Sequence, residues 1–501
     1  MNFAERLLAG RRDAGKAALI TLEAEHSYGE LSRSVLGAAY FLARSGAKKG
    51  DCVGIAAENS FLWVVGYLGA IRAGCVAVPI SSQLPPADCR ALIEQTQMRF
   101  AFVEARLASA PWLATVSNLV LDKPVASTAT LGGLASEAPV ELPQASGDDL
   151  AAILFSSGST GKPRGVMLSH ANLTANTESI AAALELNASD RAMQVLPFHY
   201  SFGASVLQTH LLVGGTVVVD KRFLFPDKVL QRMIETRCTG FAGVPSHYQI
   251  LLRKSSFKQL QFPDLRWLQQ AGGKLQEAFV RELRAAKPNA RLYIMYGATE
   301  ATARLSILPH AELDTHFGSI GRGIPGVKLR VLDEKGKQVL PGEHGEIVAE
   351  GLNISRGYYR DPHETAASFR DGKLHTGDLA TVDADGFIYV IGREKSFLKT
   401  GGTRISADRF EEALLAFEGI VEVAVIGVPD EVMGEAPAAF VVARDASDAT
   451  FLPRLRAFAE KLAPVMRPKL IELVSELPKS AAGKVQRMKL YERLRGSAAA
   501  A

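Results

Sequence analysis

The stretch FSSGSTGKPRGV, residues 155–166, directly follows the apolar run AAILF at 151–155. A short apolar run giving way to small, turn-forming residues reads as a strand that opens into a loop. Ser156, Ser157, Ser159 and Thr160 supply hydroxyls, while Lys162 and Arg164 supply positive charge. Gly158, Gly161 and Gly165 let the backbone come close to a ligand. Such a loop can wrap a polyphosphate with N–H groups, hydroxyls and cations. It is not a loop of the form G-x-x-x-x-G-K-[ST]. Only Ser159 and Thr160 separate Gly158 from Gly161, and Pro163 follows the lysine. Taken alone, the stretch reads equally well as a polar surface turn, so the rest of the chain decides.

At 501 residues the chain is too long for one simple core, and length predicts two to four domains or subdomains. Its 57 basic and 53 acidic residues nearly balance, which gives no reason to expect nucleic acid or an anionic membrane as partner. Cys52, Cys75, Cys89 and Cys238 form no C-x-x-C pair and read as buried thiols in a reducing compartment. The first fifteen residues, MNFAERLLAGRRDAG, scatter charge where a signal peptide needs an apolar core. The longest apolar stretch, 61–80, contains Arg72 and three glycines. It reads as a buried helix running into a strand at 75–79 rather than as a membrane span. A cytoplasmic enzyme is expected.

Strand-like and helix-like segments alternate at 192–196, 202–213, 216–219, 227–236 and 239–244. This βαβα rhythm predicts parallel sheets covered by helices. From about 319 to 393 the strands shorten and turn signals recur, as at Pro341-Gly342 and Asp385-Gly386. That pattern predicts a smaller antiparallel subdomain. After Gly392-Arg393, helical spacing at Ile405, Phe410, Leu414 and Phe417 opens a new α+β unit, with strands at 421–428, 438–442 and 470–477. The expected domains are 1–393 and 394–501, joined by a charged, glycine-bearing hinge.

Four further segments fall in line with the opening loop. YGATE (296–300) follows a strand-like run, and HTGDL (375–379) lies in the β-rich part. Gly392-Arg393 opens the hinge, and PKSAAGKVQR (478–487) sets Lys484 on a glycine-bearing loop. In this order and at these separations the five segments resemble the adenylate-forming superfamily, which groups acyl-CoA synthetases, non-ribosomal adenylation domains and beetle luciferases. The resemblance runs from about residue 27 to residue 487. It implies an α/β fold: a large N-terminal domain of parallel αβα subdomains with a small β-rich subdomain, and a mobile α+β C-terminal domain. The implied activity is that of an AMP-forming acid–thiol ligase. Such an enzyme joins a carboxylic acid to the α-phosphate of ATP, releases pyrophosphate, and passes the acyl group to a thiol.

Carried onto this sequence, the resemblance gives the ATP phosphates to Ser156, Ser157, Gly158, Ser159, Thr160, Gly161 and Lys162. Tyr296 would stack on adenine beside Gly272 and Gly273, with Gly297 and Ala298 in the same nucleotide set. Thr299 would contact the α-phosphate, Glu300 would hold Mg²⁺, and Asp378 and Arg393 would bind the ribose. Lys484 would bridge the substrate carboxylate and the α-phosphate. Cations and preorganised donors are needed because two anions must meet while charge builds in the transition state. Lys395 would be the hinge residue, and Gly401 and Gly402 would line the tunnel for the thiol arm.

The acid pocket implied by the resemblance is lined by His199, Phe202, Val244, Tyr248, Ala271, Ala298, Arg304 and Leu305. Residues 198–205 contain no carboxylate to pair an ammonium, so an α-amino acid is not expected. His199 reads either as a lid over the substrate carboxylate or as a packed polar residue at a helix start. Arg304 reads either as the partner of a surface acid or as a contact to a second polar group on the substrate. Coenzyme A is the expected acceptor. An acyl carrier protein's thiol is the alternative, ahead of luciferase-like oxidation or a non-catalytic AMP-binding module.

Overall fold

The structure, a computed structural model, describes residues 1–9, 13–82, 84–125, 128–157, 163–393, 397–400, 403–430, 433–480, 483 and 485–499. Cys52–Ala56, Val76–Pro79 and Phe100–Val103 are continuous apolar runs, buried on both faces. Such runs belong in the middle of a parallel sheet. They form the centre of a seven-stranded sheet that ends in the antiparallel hairpin Leu150–Ser157 and Pro163–Ser169. The tip of that hairpin, 158–162, lies outside the described residues.

A second sheet has nine strands. Its parallel centre is built from Thr216–Val219, Arg191–Gln194, Gly240–Gly243, Trp267–Gln270 and Arg291–Tyr296. Helices Ser201–Val213 and Pro226–Glu235 make two of the crossovers, matching the alternation legible in the sequence. Ala17–Ile20 joins this sheet from far up the chain, pairing with Thr216–Val219.

Phe61–Arg72 is apolar all round because strands of the first sheet cover one side and helices Phe3–Leu8 and Tyr28–Arg44 cover others. One core cluster runs from Val53 and Leu154 of the first sheet, through Trp63 and Leu207, to Val217 and Val219 of the second. The apolar stretch 61–80 is therefore a buried helix followed by the strand Val76–Pro79. Among the described residues no helix is long and apolar enough to cross a membrane. The four cysteines are buried and free. Burial is the main cause that pushes Cys52 and Cys89 up to about 11 and Cys75 and Cys238 up to about 12.

Val327–Leu332, His344–Gly351, Lys373–Val382 and Ile388–Arg393 form an antiparallel sheet, with the short Phe369–Arg370 added. The last sheet pairs the long strands Ile420–Asp430 and Gly434–Ala443 and adds Leu470–Leu473 in parallel. Helices Ala407–Leu415 and Phe451–Ala459 cover one face, and Leu490 of the helix Arg487–Ala499 packs on the other. The strand expected over 470–477 stops at Leu473; Val474 and Leu477 instead turn into the second of these cores. The architecture is α/β, with a large N-terminal part and a smaller α+β C-terminal part.

Candidate active site

The strand Arg291–Tyr296 points its C-terminal end at the loop 297–305, where ligands collect in open α/β sheets. The chain doubles back at once, so that Tyr296 pairs with Ser306. Gly297 is required for this: a Cβ there would lie 1.9 Å from the Ala303 carbonyl oxygen. Thr299–Ala301 form a single 3₁₀ turn. Thr302 follows with φ 67° and ψ −59°, and the Ala303 N–H donates to the Ala301 carbonyl at 2.8 Å. This is a γ-turn of the rare, strained hand, on a β-branched residue.

The strain is held from both sides. The Thr302 hydroxyl donates to the Asn353 carbonyl at 2.7 Å. Asn353 Nδ2 donates to the carbonyls of Ala301 (3.2 Å) and Arg304 (3.1 Å). Asn176, 1% exposed, takes the Arg304 N–H at 3.1 Å and donates to its carbonyl at 2.8 Å. The Ser355 N–H donates to the Glu300 carbonyl at 2.8 Å. Four hydrogen-bonding groups from outside the loop therefore aim Thr299 and Glu300.

Asp378 and Arg393 are direct cross-strand partners in the antiparallel sheet, and Arg393 Nε donates to Asp378 Oδ1 at 2.8 Å. The Tyr296 hydroxyl donates to Oδ2 of the same carboxylate at 2.6 Å. Burial, aided by the Asp378 charge, holds the Tyr296 phenol well above its ordinary value, so it stays a donor. The Asp378 charge also raises Arg393. Glu300 Oε1 accepts from the Tyr358 hydroxyl at 2.9 Å. Tyr358 in turn bridges to Val166, beside the exit of the loop 158–162. Thr299 Oγ1 lies 3.3 Å from Ser201 Oγ at the start of the helix Ser201–Val213. The Glu300 carboxylate is a hard-oxygen donor, which suits a divalent cation.

On the other side, Val244, Ala271 and Ala303 pack in one cluster with Phe202 against it. Gly272 turns the chain with φ 87°, and the Gly273 carbonyl accepts from Gln270 Nε2 at 2.7 Å. His199 packs against Tyr200 with ring centroids 4.4 Å apart, and its buried Nε2 has no partner among the described residues. Burial lowers it to about 4, so the ring is neutral at pH 7. Arg304 is 1% exposed, with its guanidinium 4.6 Å from the centre of the Phe202 ring.

Two expected pocket residues face elsewhere. Tyr248 is fully buried on the opposite face of the sheet with Phe241 and Leu268, its hydroxyl donating to the Gln269 carbonyl at 2.7 Å. Leu305 packs with Ala349 and Leu374, against the β-rich sheet. Ala303 takes the inward place instead. Tyr358, Asn176 and Asn353 were not anticipated; the asparagines grip backbone carbonyls, which leaves no spacing signal. Gly158, Ser159, Thr160, Gly161, Lys162, Lys395, Gly401, Gly402 and Lys484 lie outside the described residues. The neighbour of Lys484 does not: the Gly483 carbonyl accepts from Ser246 Oγ at 3.3 Å, and a Cβ on Gly483 would come within 2.7 Å of Val244. Lys274 and Glu412 add an ion pair of 3.4 Å between the two parts of the chain.

Tyrosine, carboxylate and hydroxyl groups on one side, apolar side chains on the other and a C-terminal unit touching the edge suit an enzyme that binds a nucleotide together with a second, less polar substrate. The chain matches the AMP-binding enzyme family over residues 8–359 and the AMP-binding enzyme C-terminal domain over residues 409–484. It is 32% identical to a feruloyl-CoA synthase of an Amycolatopsis species over 460 residues, 92% of each chain. It superposes with a TM-score of 0.90 on the anthranilate CoA ligase AuaEII in complex with anthranoyl-AMP, at 27% identity, covering 100% of this chain and 98% of that one. ATP-bound MatB from Rhodopseudomonas palustris gives 0.86 at 29% identity, with 98% of each chain covered. The chain belongs to the AMP-binding enzyme family. It is an AMP-forming ligase of the acyl- and aryl-CoA ligase type, using ATP and coenzyme A with a small-molecule carboxylic acid.

Proposed function

We propose that this ligase activates an acid with an apolar, aryl-sized body and works by alternating two positions of its C-terminal unit, residues 394–501, about Lys395. The substrate carboxylate attacks the α-phosphorus of ATP, a P–O bond forms, and the α–β anhydride bond breaks to release pyrophosphate. The coenzyme A thiol then attacks the acyl carbon, loses its proton, and expels AMP. Thr299 and Lys484 meet the charge at the α-phosphate, and Tyr296 and Asp378 hold the nucleoside. Mg²⁺ held by Glu300 would neutralise phosphate charge. Neutral His199 closes over the acid. The four buried thiols favour the cytoplasm as the working compartment. The aryl preference rests on the Phe202 side of the cleft and on the acids named in the two relatives.

One observation carries the reading. Gly483 sits against Val244 and Ser246 at the acid side of the cleft, which supports an approach of Lys484, next in the chain, to the reacting groups. Lys484→Ala should lower pyrophosphate release by roughly 10²–10³-fold or more. Thioester formation from a supplied acyl-adenylate and coenzyme A should persist. Equal loss of both half-reactions would refute the alternation.

A further inference from the structure

Arg304 is one of the largest side chains sealed in this protein, and it is a cation. Its Nε and Nη2 are buried without a hydrogen-bond partner among the described residues. Burial draws its guanidinium down, to about 9, with no acid among the described residues acting on it, so it remains protonated at neutral pH. A buried charge is ordinarily paired, because an uncompensated one is costly. The fold nevertheless fixes this residue firmly: Asn176 holds both its N–H and its carbonyl. The ring of Phe202, half-buried at the acid wall, covers the guanidinium. The two orphaned nitrogens are also the pair whose N–H bonds run parallel, the edge that takes a carboxylate through two hydrogen bonds.

Building on the ligase reading above, we infer that Arg304 receives a second anionic group of the acid, so that the substrate is a dicarboxylic or sulfonated acid whose far end reaches behind Phe202. The reacting carboxylate stays with His199 and the α-phosphate, while the distal anion supplies the counter-charge that the described residues lack. Specificity then follows from the cost of leaving the guanidinium unpaired when a monoacid binds.

The test is ATP-dependent pyrophosphate release with matched probes: benzoate against isophthalate and 3-sulfobenzoate, and butyrate against glutarate. Wild type should favour the doubly acidic member of a pair by at least tenfold in kcat/KM; the carboxylate and sulfonate arms tell which anion fits. Arg304→Leu should reverse that order, and Arg304→Lys should keep part of it. Thermal unfolding separates recognition from architecture. Removing an unpaired buried charge should raise the Tm of the ligand-free enzyme, and isophthalate should raise the Tm of wild type only. A monoacid preference that Arg304→Leu leaves unchanged, or a lowered Tm in that variant, would overturn the inference alone. Absence of turnover with every acid would instead sink the ligase reading, and this inference with it.

Discussion

The two walls of the cleft are finished to different degrees. On the nucleotide wall the acidic groups already have partners: Asp378 takes Tyr296 and Arg393, and Glu300 takes Tyr358. On the acid wall His199 Nε2 and Arg304 Nε and Nη2 are buried without partners among the described residues. The difference follows from what each wall must do. ATP is the same in each turnover, so its wall can be preorganised by the protein's own hydrogen bonds. The acid wall keeps its polar atoms open, and only a substrate with matching groups completes them.

The comparison can be broken in order of effect. Asp378→Ala removes two charge-assisted contacts and leaves Tyr296 and Arg393 without their acceptor. It should lower kcat/KM for ATP by roughly 10²-fold, with the KM for the acid little changed. A shift carried mainly by the acid would show that the walls are not separable. Acidification comes next. Unfolded histidines take up protons below about pH 6.5, whereas folded His199 resists to about 4 and His247 to about 3. The unfolded chain therefore binds more protons in that window, and stability falls as pH drops. Each ring should account for about 2 kcal/mol between pH 7 and pH 5. His199→Gln and His247→Gln should each flatten the pH dependence of Tm, and an unaltered slope would remove those rings from the account. The smallest effect is Tyr358→Phe, which frees Glu300 Oε1 for about 1 kcal/mol. It should change the apparent Mg²⁺ requirement about fivefold and leave the choice of acid untouched.

Much of this is legible in the amino-acid sequence. The alternation at 192–244 points to the parallel sheet, because strand and helix periods differ and each covers the other's apolar face. Tyr296 and Asp378 stand 82 positions apart, and only the family's motif order links them. Asp378 and Arg393 are closer, and a hairpin register brings them opposite each other. The facing of Tyr248 and Leu305 was not legible. Tyr248 rides the helix Pro245–Lys254, whose rotation is set by the Phe241 side of the sheet. Leu305 is redirected by the γ-turn at Thr302, a conformation that residue type argues against. Asn176 and Asn353 were invisible for another reason: they serve carbonyl groups that every residue has.

That turn ties the chemistry of the site to its selectivity. Thr299 and Glu300 lie on one limb, Ala303 and Arg304 on the other, and a bond spanning three residues joins them. Bulk introduced at 303 to admit a different acid must displace backbone that also aims the phosphate-side groups. Engineering toward new substrates at these positions will therefore trade speed for scope, whereas exchanges at Phe202, on a separate helix, escape that linkage.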